Sequence, residues 1–169
     1  EGALAAHGRT IGLLACGQDI DYPSLSHDLK KHILDSGGAL ISEFPFGERA
    51  ARYHFNIRNR LLSGISAGVV VVQAPERSGA LNTARHALEQ NRDVFAVPGE
   101  IFDMSMAGCN RLIRDGSKIV INVYSILEEY INRFPDKMDP RTIVSKIRRA
   151  SGIRIKSPAN VPRKVRNIP

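Results

Sequence analysis

Cysteine is scarce in this chain, and the little there is does not pair. Cys16 and Cys109 stand alone among 169 residues and form no CxxC motif. That argues against a zinc site or a disulfide framework and makes a reducing cytoplasm the simplest setting. Long apolar runs are missing too. None approaches the ~20 residues of a membrane helix, so no membrane association is expected. No secretory leader is legible, although the first residue is Glu1. His7, His27, His32, His54 and His86 are scattered without ligand spacing, and no metal is expected. A GxSxG elbow, a Walker lysine loop, a GxGxxG after a strand and a credible nucleophile–base pair are all lacking, which points away from an enzyme and from a cofactor. Acidic residues almost vanish from one region. Residues 131–169 hold 11 Lys/Arg against Asp136 and Asp139, whereas residues 1–130 hold 13 against 15 acids. The net +7 therefore belongs to the tail, and any anion-binding claim for the remainder must rest on particular residues.

What is present is an alternation of short apolar strands and amphipathic helices. A helix ending near His7 is followed by the strand Thr10–Ala15. Ser24 reads as the N-cap of a helix Leu25–Ser36 with Leu25, Leu29, Ile33 and Leu34 as its apolar stripe. Gly37-Gly38 stops it before the strand Ala39–Ser42, and residues 43–52 form a loop. Then come a helix 54–66, a strand 69–73, a helix 79–90 and a strand 93–97. A short helix near Cys109–Arg114, a strand Lys118–Ile121 and a helix Tyr124–Tyr130 complete the series. Strands that are apolar throughout are expected where helices cover both faces. The fold expected is α/β: a Rossmann-like, doubly wound, mostly parallel sheet, N-terminally truncated, over residues 1–130, with a basic C-terminal tail at 131–169. Within that tail 142–150 reads as a basic helix and 151–169 as disordered.

Three places can carry chemistry. On the helix 54–66, Ile57, Leu61 and Ile65 stack on one face, expected to be the sheet-facing one, while Phe55, Asn56 and Asn59 project roughly opposite. Arg52 joins them if the helix starts early. A ring beside an arginine and two amides suits base stacking, worth ~1–3 kcal/mol per base; a hydrophobic staple under the Phe44–Gly47 loop suits it equally well. The second place is the turn Arg77-Ser78-Gly79-Ala80. There Ser78 can cap a helix whose first N–H groups lie open at the carboxyl end of a strand, the position where open α/β sheets bind ligands. An ordinary capped helix explains the same residues. The third is Gly108–Gly116, from which Asn110 and Arg111 can supplement the site; Arg114–Asp115 reads as a solvated pair.

Several segments together closely resemble the DprA/Smf family (DNA processing protein A) over about residues 1–130. They are Gly37-Gly38-Ala39-Leu40-Ile41-Ser42-Glu43, Phe55-x-x-Arg58-Asn59-Arg60, Ser78-Gly79-Ala80-Leu81-Asn82-Thr83-Ala84 with Ala87-Leu88-Glu89-Gln90, Val94–Gly99, and Gly108-Cys109-Asn110-Arg111-Leu112-Ile113. The resemblance implies a cytoplasmic, Rossmann-like protein that binds single-stranded DNA without reading its sequence, acts in DNA uptake and natural transformation, and loads RecA recombinase. By the same resemblance, Arg52 and the Arg77-Ser78-Gly79 turn hold phosphates and Phe55 stacks on a base. A homodimer is implied as well, with Tyr124, Ile126, Leu127 and Tyr130 near its contact. Two departures stand out: the chain starts after the family's glycine-rich phosphate loop, with 1–8 resembling the helix that follows it, and Asn56 stands where proline is frequent. Two other classes compete. Related Rossmann-like enzymes hydrolyse nucleoside monophosphates through a Pro-Gly-Gly turn and a downstream Glu, for which Glu89 is the counterpart; or the chain is a protein-binding remnant with no DNA site.

Overall fold

A computed structural model describes residues 1–135. The chain divides into two compact units, Glu1–Lys118 and Ile119–Pro169. The division falls ahead of the last helix. The expected helix 142–150 and the segment 151–169 lie outside the described residues.

The first unit runs α1 (Gly2–Ala5), β1 (Ile11–Leu13), a 3-10 turn (Ser24–Ser26), α2 (His27–Asp35), β2 (Ala39–Ile41), α3 (Arg52–Gly64), β3 (Gly68–Val71), α4 (Gly79–Glu89), β4 (Asp93–Ala96) and α5 (Ala107–Arg114). β5 (Lys118–Ile119) lies at the division, and α6 (Tyr124–Ile131) follows it. Helices alternate with strands as the apolar periodicity anticipates. The strands form two separate ladders. β1 pairs in parallel with β2, Gly12 opposite Leu40, and β3 pairs in parallel with β4, Val70 opposite Phe95, with β5 beyond β4. The parallel α/β class is the one expected, but β1 and β3 are not hydrogen-bonded to each other.

The larger core lies under α4 and α5. Val71, Ala74, Ala84, Ala87, Val94, Ala96 and Cys109 are buried together, with Leu81, Met106, Leu112 and Ile113 packed around them. The small residues let α4 and α5 approach the sheet closely. Gly108 is where α5 meets the end of β3: its N–H donates to Ala74 O at 2.8 Å, and a Cβ there would stand 2.6 Å from that same oxygen. Both cysteines are buried free thiols, and burial raises their pKa.

Helix α2 departs from its expected start. Ser24 opens a 3-10 turn rather than capping the α-helix, and no side-chain cap bond is formed. Leu25 is 93% exposed and Leu34 also faces outward, so the inward face is carried by Ile33 and by the stem of Lys30. The reason lies in the preceding loop. The Lys30 ammonium, itself nearly buried, donates to Ile20 O and lies 3.1 Å from an Asp21 oxygen, while His27 Nδ1 holds the other oxygen at 2.9 Å. The Lys30 stem thus takes an inward position on α2, and its charged end is satisfied by the loop rather than by solvent.

The Lys30 hydrogen bond, then that of His27, holds the Asp21 carboxyl below the usual carboxylate range. A carboxylate with a depressed folded-state pKa contributes its stability above the unfolded value of about 3.9 and loses it as pH falls through the folded value. Between pH 6 and pH 3 the urea midpoint of this protein is therefore expected to fall further than that of Asp21→Asn. Parallel pH profiles would contradict the coupling.

Candidate nucleic-acid interface

Helix α3 starts at Arg52, early enough to place Arg52 one turn before Phe55 on the same face. Its buried face is the reverse of the one expected. Ile57 is 38% and Ile65 56% exposed, while His54, Asn59 and Ser63 are buried. Each buried polar group has a partner, which is what permits the reversal. His54 Nδ1 meets Ala15 O at 3.1 Å, Ser63 Oγ meets Gln90 Oε1 at 2.7 Å, and Asn59 Nδ2 points to Gly79 O at 3.5 Å. Arg58 NH1 donates to Leu13 O at 2.5 Å. Its guanidinium is half-buried, and desolvation lowers its pKa.

The loops at the carboxyl ends of β1 and β2 fix the start of this helix. Gly17 N–H donates to Glu48 O at 2.8 Å, and the Asp19 carboxylate accepts from Gly47 N–H at 2.9 Å. Phe44 stacks on the buried His54 ring with centroids 4.1 Å apart. The Phe44–Gly47 loop therefore covers His54. Phe55 remains partly open, its ring 5.7 Å from the half-exposed Tyr22 and 5.8 Å from the Arg58 guanidinium carbon.

The second component is the N-terminus of α4. Ser78 caps it, its Oγ accepting from Ala80 N–H at 3.2 Å. Gly79 is exposed, its N–H makes no backbone bond among the described residues, and a Cβ there would meet nothing within 4 Å. An 11-residue helix thus offers a free amide and the positive end of its dipole to solvent. Phe55, Arg58, Asn59 and Leu62 of α3, residues 69–73, and Gly79, Ala80 and Thr83 of α4 line one cavity of about 650 Å³. The structure therefore brings together the Phe55 ring and the helix beginning that the sequence singled out separately.

Other expected residues fall elsewhere. Arg52 and Arg77 are exposed, with no hydrogen bond or ion pair among the described residues, and lie outside the cavity lining. Asn56 accepts from Asn82 Nδ2 at 3.2 Å across the seam between α3 and α4, and Asn59 is structural by burial. Asn110 uses both ends of its amide on the backbone of Gly99, and Arg111 lies 3.7 Å from Asp115. Neither reaches the cavity. In α6, Tyr130 is buried, whereas Tyr124, Ile126 and Leu127 are half-buried. Glu89, which a hydrolase would need beside the turn, sits at the far end of α4, about 15 Å along the axis from Gly79. It pairs there with His86 and Arg85. Sequence reasoning missed Tyr22 and the inward role of Arg58. The i, i+3 spacing of Phe55 and Arg58 was the available signal for the second; Tyr22 lies 33 positions from its partner and gave none.

The family of DNA recombination-mediator protein A matches residues 1–131. The chain belongs to that family. It is 39% identical to DNA processing protein DprA of Streptococcus pneumoniae over 76% of its own length and 45% of that protein. To the Bacillus subtilis DprA it is 42% identical over 82% and 46%. The solved Streptococcus pneumoniae DprA superposes with a TM-score of 0.70 at 40% identity, covering 75% of this chain and 44% of that one. DNA processing protein A of Helicobacter pylori, solved for its single-stranded DNA binding mode, gives 0.60 at 26% identity, with 76% and 57% covered. The chain spans a little under half the length of the two DprA relatives. Among the described residues no helix is long and apolar enough to cross a membrane.

Replacing Ser78 with Ala removes the acceptor for the Ala80 amide and is expected to cost about 0.5–2 kcal/mol, whereas Ser78→Gly should cost only a few tenths. Chemical denaturation of both variants checks the ranking; an unchanged Ser78→Ala midpoint would remove the cap from the account.

Proposed function

We propose that the chain binds single-stranded DNA without reading its sequence, at the mouth of the cavity between α3 and α4. The observation that carries this reading is the partly open Phe55 ring lining the same cavity as the exposed Gly79 and the Ala80 amide. A base stacks on Phe55, with Tyr22 extending the aromatic surface. A neighbouring phosphate takes the Gly79 N–H at the positive end of α4, and the unpaired Arg52 and Arg77 supply cations to the strand on either side. Nothing in this set reads a Watson–Crick edge, since a ring face and backbone amides accept every nucleotide alike. The family membership and the Helicobacter pylori relative's DNA-binding mode support the reading.

A role in DNA uptake during transformation, delivery of the bound strand to a RecA-type recombinase and homodimerisation belong to the same proposal. The basic tail adds nonspecific attraction for the phosphate backbone.

Fluorescence polarisation with labelled oligo-dT tests it. Phe55→Ala is expected to weaken binding by roughly 5- to 150-fold, the equivalent of ~1–3 kcal/mol. Arg77→Ala should lower the slope of log K against log salt by about 0.7. Unchanged affinity in both Phe55→Ala and Arg52→Ala would place the DNA elsewhere.

A further inference from the structure

A second aromatic ring is offered to water at the tip of the loop after β2. Phe46 is 77% exposed, yet the backbone that carries it is closely held. Pro45 O accepts from Glu48 N–H at 3.2 Å, and Gly47 turns the corner with a φ of 83°, a conformation that favours glycine. Gly47 N–H donates to the Asp19 carboxylate, and Gly17 N–H donates to Glu48 O. Nearer the strand, Ser42 Oγ donates to Cys16 O at 2.7 Å and accepts from Phe44 N–H at 3.0 Å, while Phe44 stacks on His54. The loop is thus tied to the β1 side and to α3, and Phe46 projects from a braced base.

The unpaired charges that follow this ring are of one sign. Arg49 and Arg52 are exposed and make no hydrogen bond or ion pair among the described residues. The nearby acids are engaged. Asp19 holds the Gly47 amide, Glu48 Oε1 lies 3.6 Å from His54 Nε2, and Glu43 pairs with Arg60 at 2.6 Å. Helix α3 adds to the positive field, since it begins at Arg52 with no acid in its first turn and no side-chain cap bond. The segment Gly17–Tyr22 links the two rings: Asp19 holds the Phe46 turn, and the Tyr22 ring lies 5.7 Å from that of Phe55.

We propose that Phe46 and Arg49 form a second nucleotide subsite, which carries the single strand from the Phe55–Gly79 site past Arg52 onto the loop after β2; it rests on the DNA-binding reading of that first site. A further base stacks on Phe46, and its phosphate meets Arg49. Stacking needs an accessible ring face and no hydrogen-bond partner, so every base is accepted. Rings and unpaired guanidiniums in alternation match the base and phosphate of an unpaired strand. A protein partner would call for a contiguous apolar patch, whereas Phe46 is the one exposed large apolar side chain of residues 43–51.

Polarisation titrations with labelled oligo-dT of about four and about twelve nucleotides separate the two subsites. Phe46→Ala is expected to weaken the longer strand roughly 5- to 150-fold and to leave the shorter one unchanged. Phe46→Tyr, which keeps a ring, should bind the longer strand as the parent does. Arg49→Ala should lower the salt slope of the longer strand by about 0.7. Loss at both lengths in Phe55→Ala, with none at either length in Phe46→Ala, would overturn this proposal and leave the first site standing. An equal loss at both lengths in Phe46→Ala would merge the ring into the first site and overturn the second subsite. No loss in Phe55→Ala would remove the first site, and this one as its extension.

Discussion

The seam between α3 and α4 is held by polar side chains rather than by an apolar stripe, and the site depends on it. Asn56 to Asn82, Asn59 to Gly79, Ser63 to Gln90 and Gln90 to Arg60 link α3 to α4 and its C-cap. Each hydrogen bond contributes about 0.5–1.5 kcal/mol net, but each is also directional. An apolar seam tolerates sliding and rotation. Four amide and hydroxyl bonds of fixed reach set the register of α3 against α4, and so the position of Phe55 relative to Gly79.

The same arrangement explains the shape of the cavity. Because α3 turns His54, Arg58 and Asn59 inward, its underside reaches backbone carbonyls: Ala15 and Leu13 on the β1 side, Gly79 on α4. The helix bridges two ladders that do not pair with each other. Apolar packing is concentrated to one side of it, under α4 and α5, where alanines, valines and Cys109 close the core around β4. A tightly packed half and a polar, bridged half leave the open volume at their junction, next to a helix N-terminus.

Much of this was legible from residue patterns. The alternation of apolar runs and helical stripes gives the element order and the parallel α/β class, and the Ser78–Gly79 turn is recognisable as a capped helix start. The buried face of α3 was not legible. Periodicity rewards Ile57, Leu61 and Ile65, and nothing local reveals that His54 meets a carbonyl 39 positions earlier or that Arg58 meets one 45 positions earlier. Lys30 hid the inward face of α2 in the same way. Polar groups become good interior residues only once a distant partner is in place, so long-range pairing outweighed the local stripe. Val70 and Val72 read as buried from their apolar run, although they are 38% and 64% exposed.

Titration of isotope-labelled protein with oligo-dT, followed by backbone and aromatic NMR shifts, tests the central claim most directly. The account predicts the largest changes at the Gly79 and Ala80 amides and the Phe55 ring, with little at Asn110 and Arg111. Changes confined to α5, α6 or the basic tail, with Gly79 and Phe55 still, would contradict it.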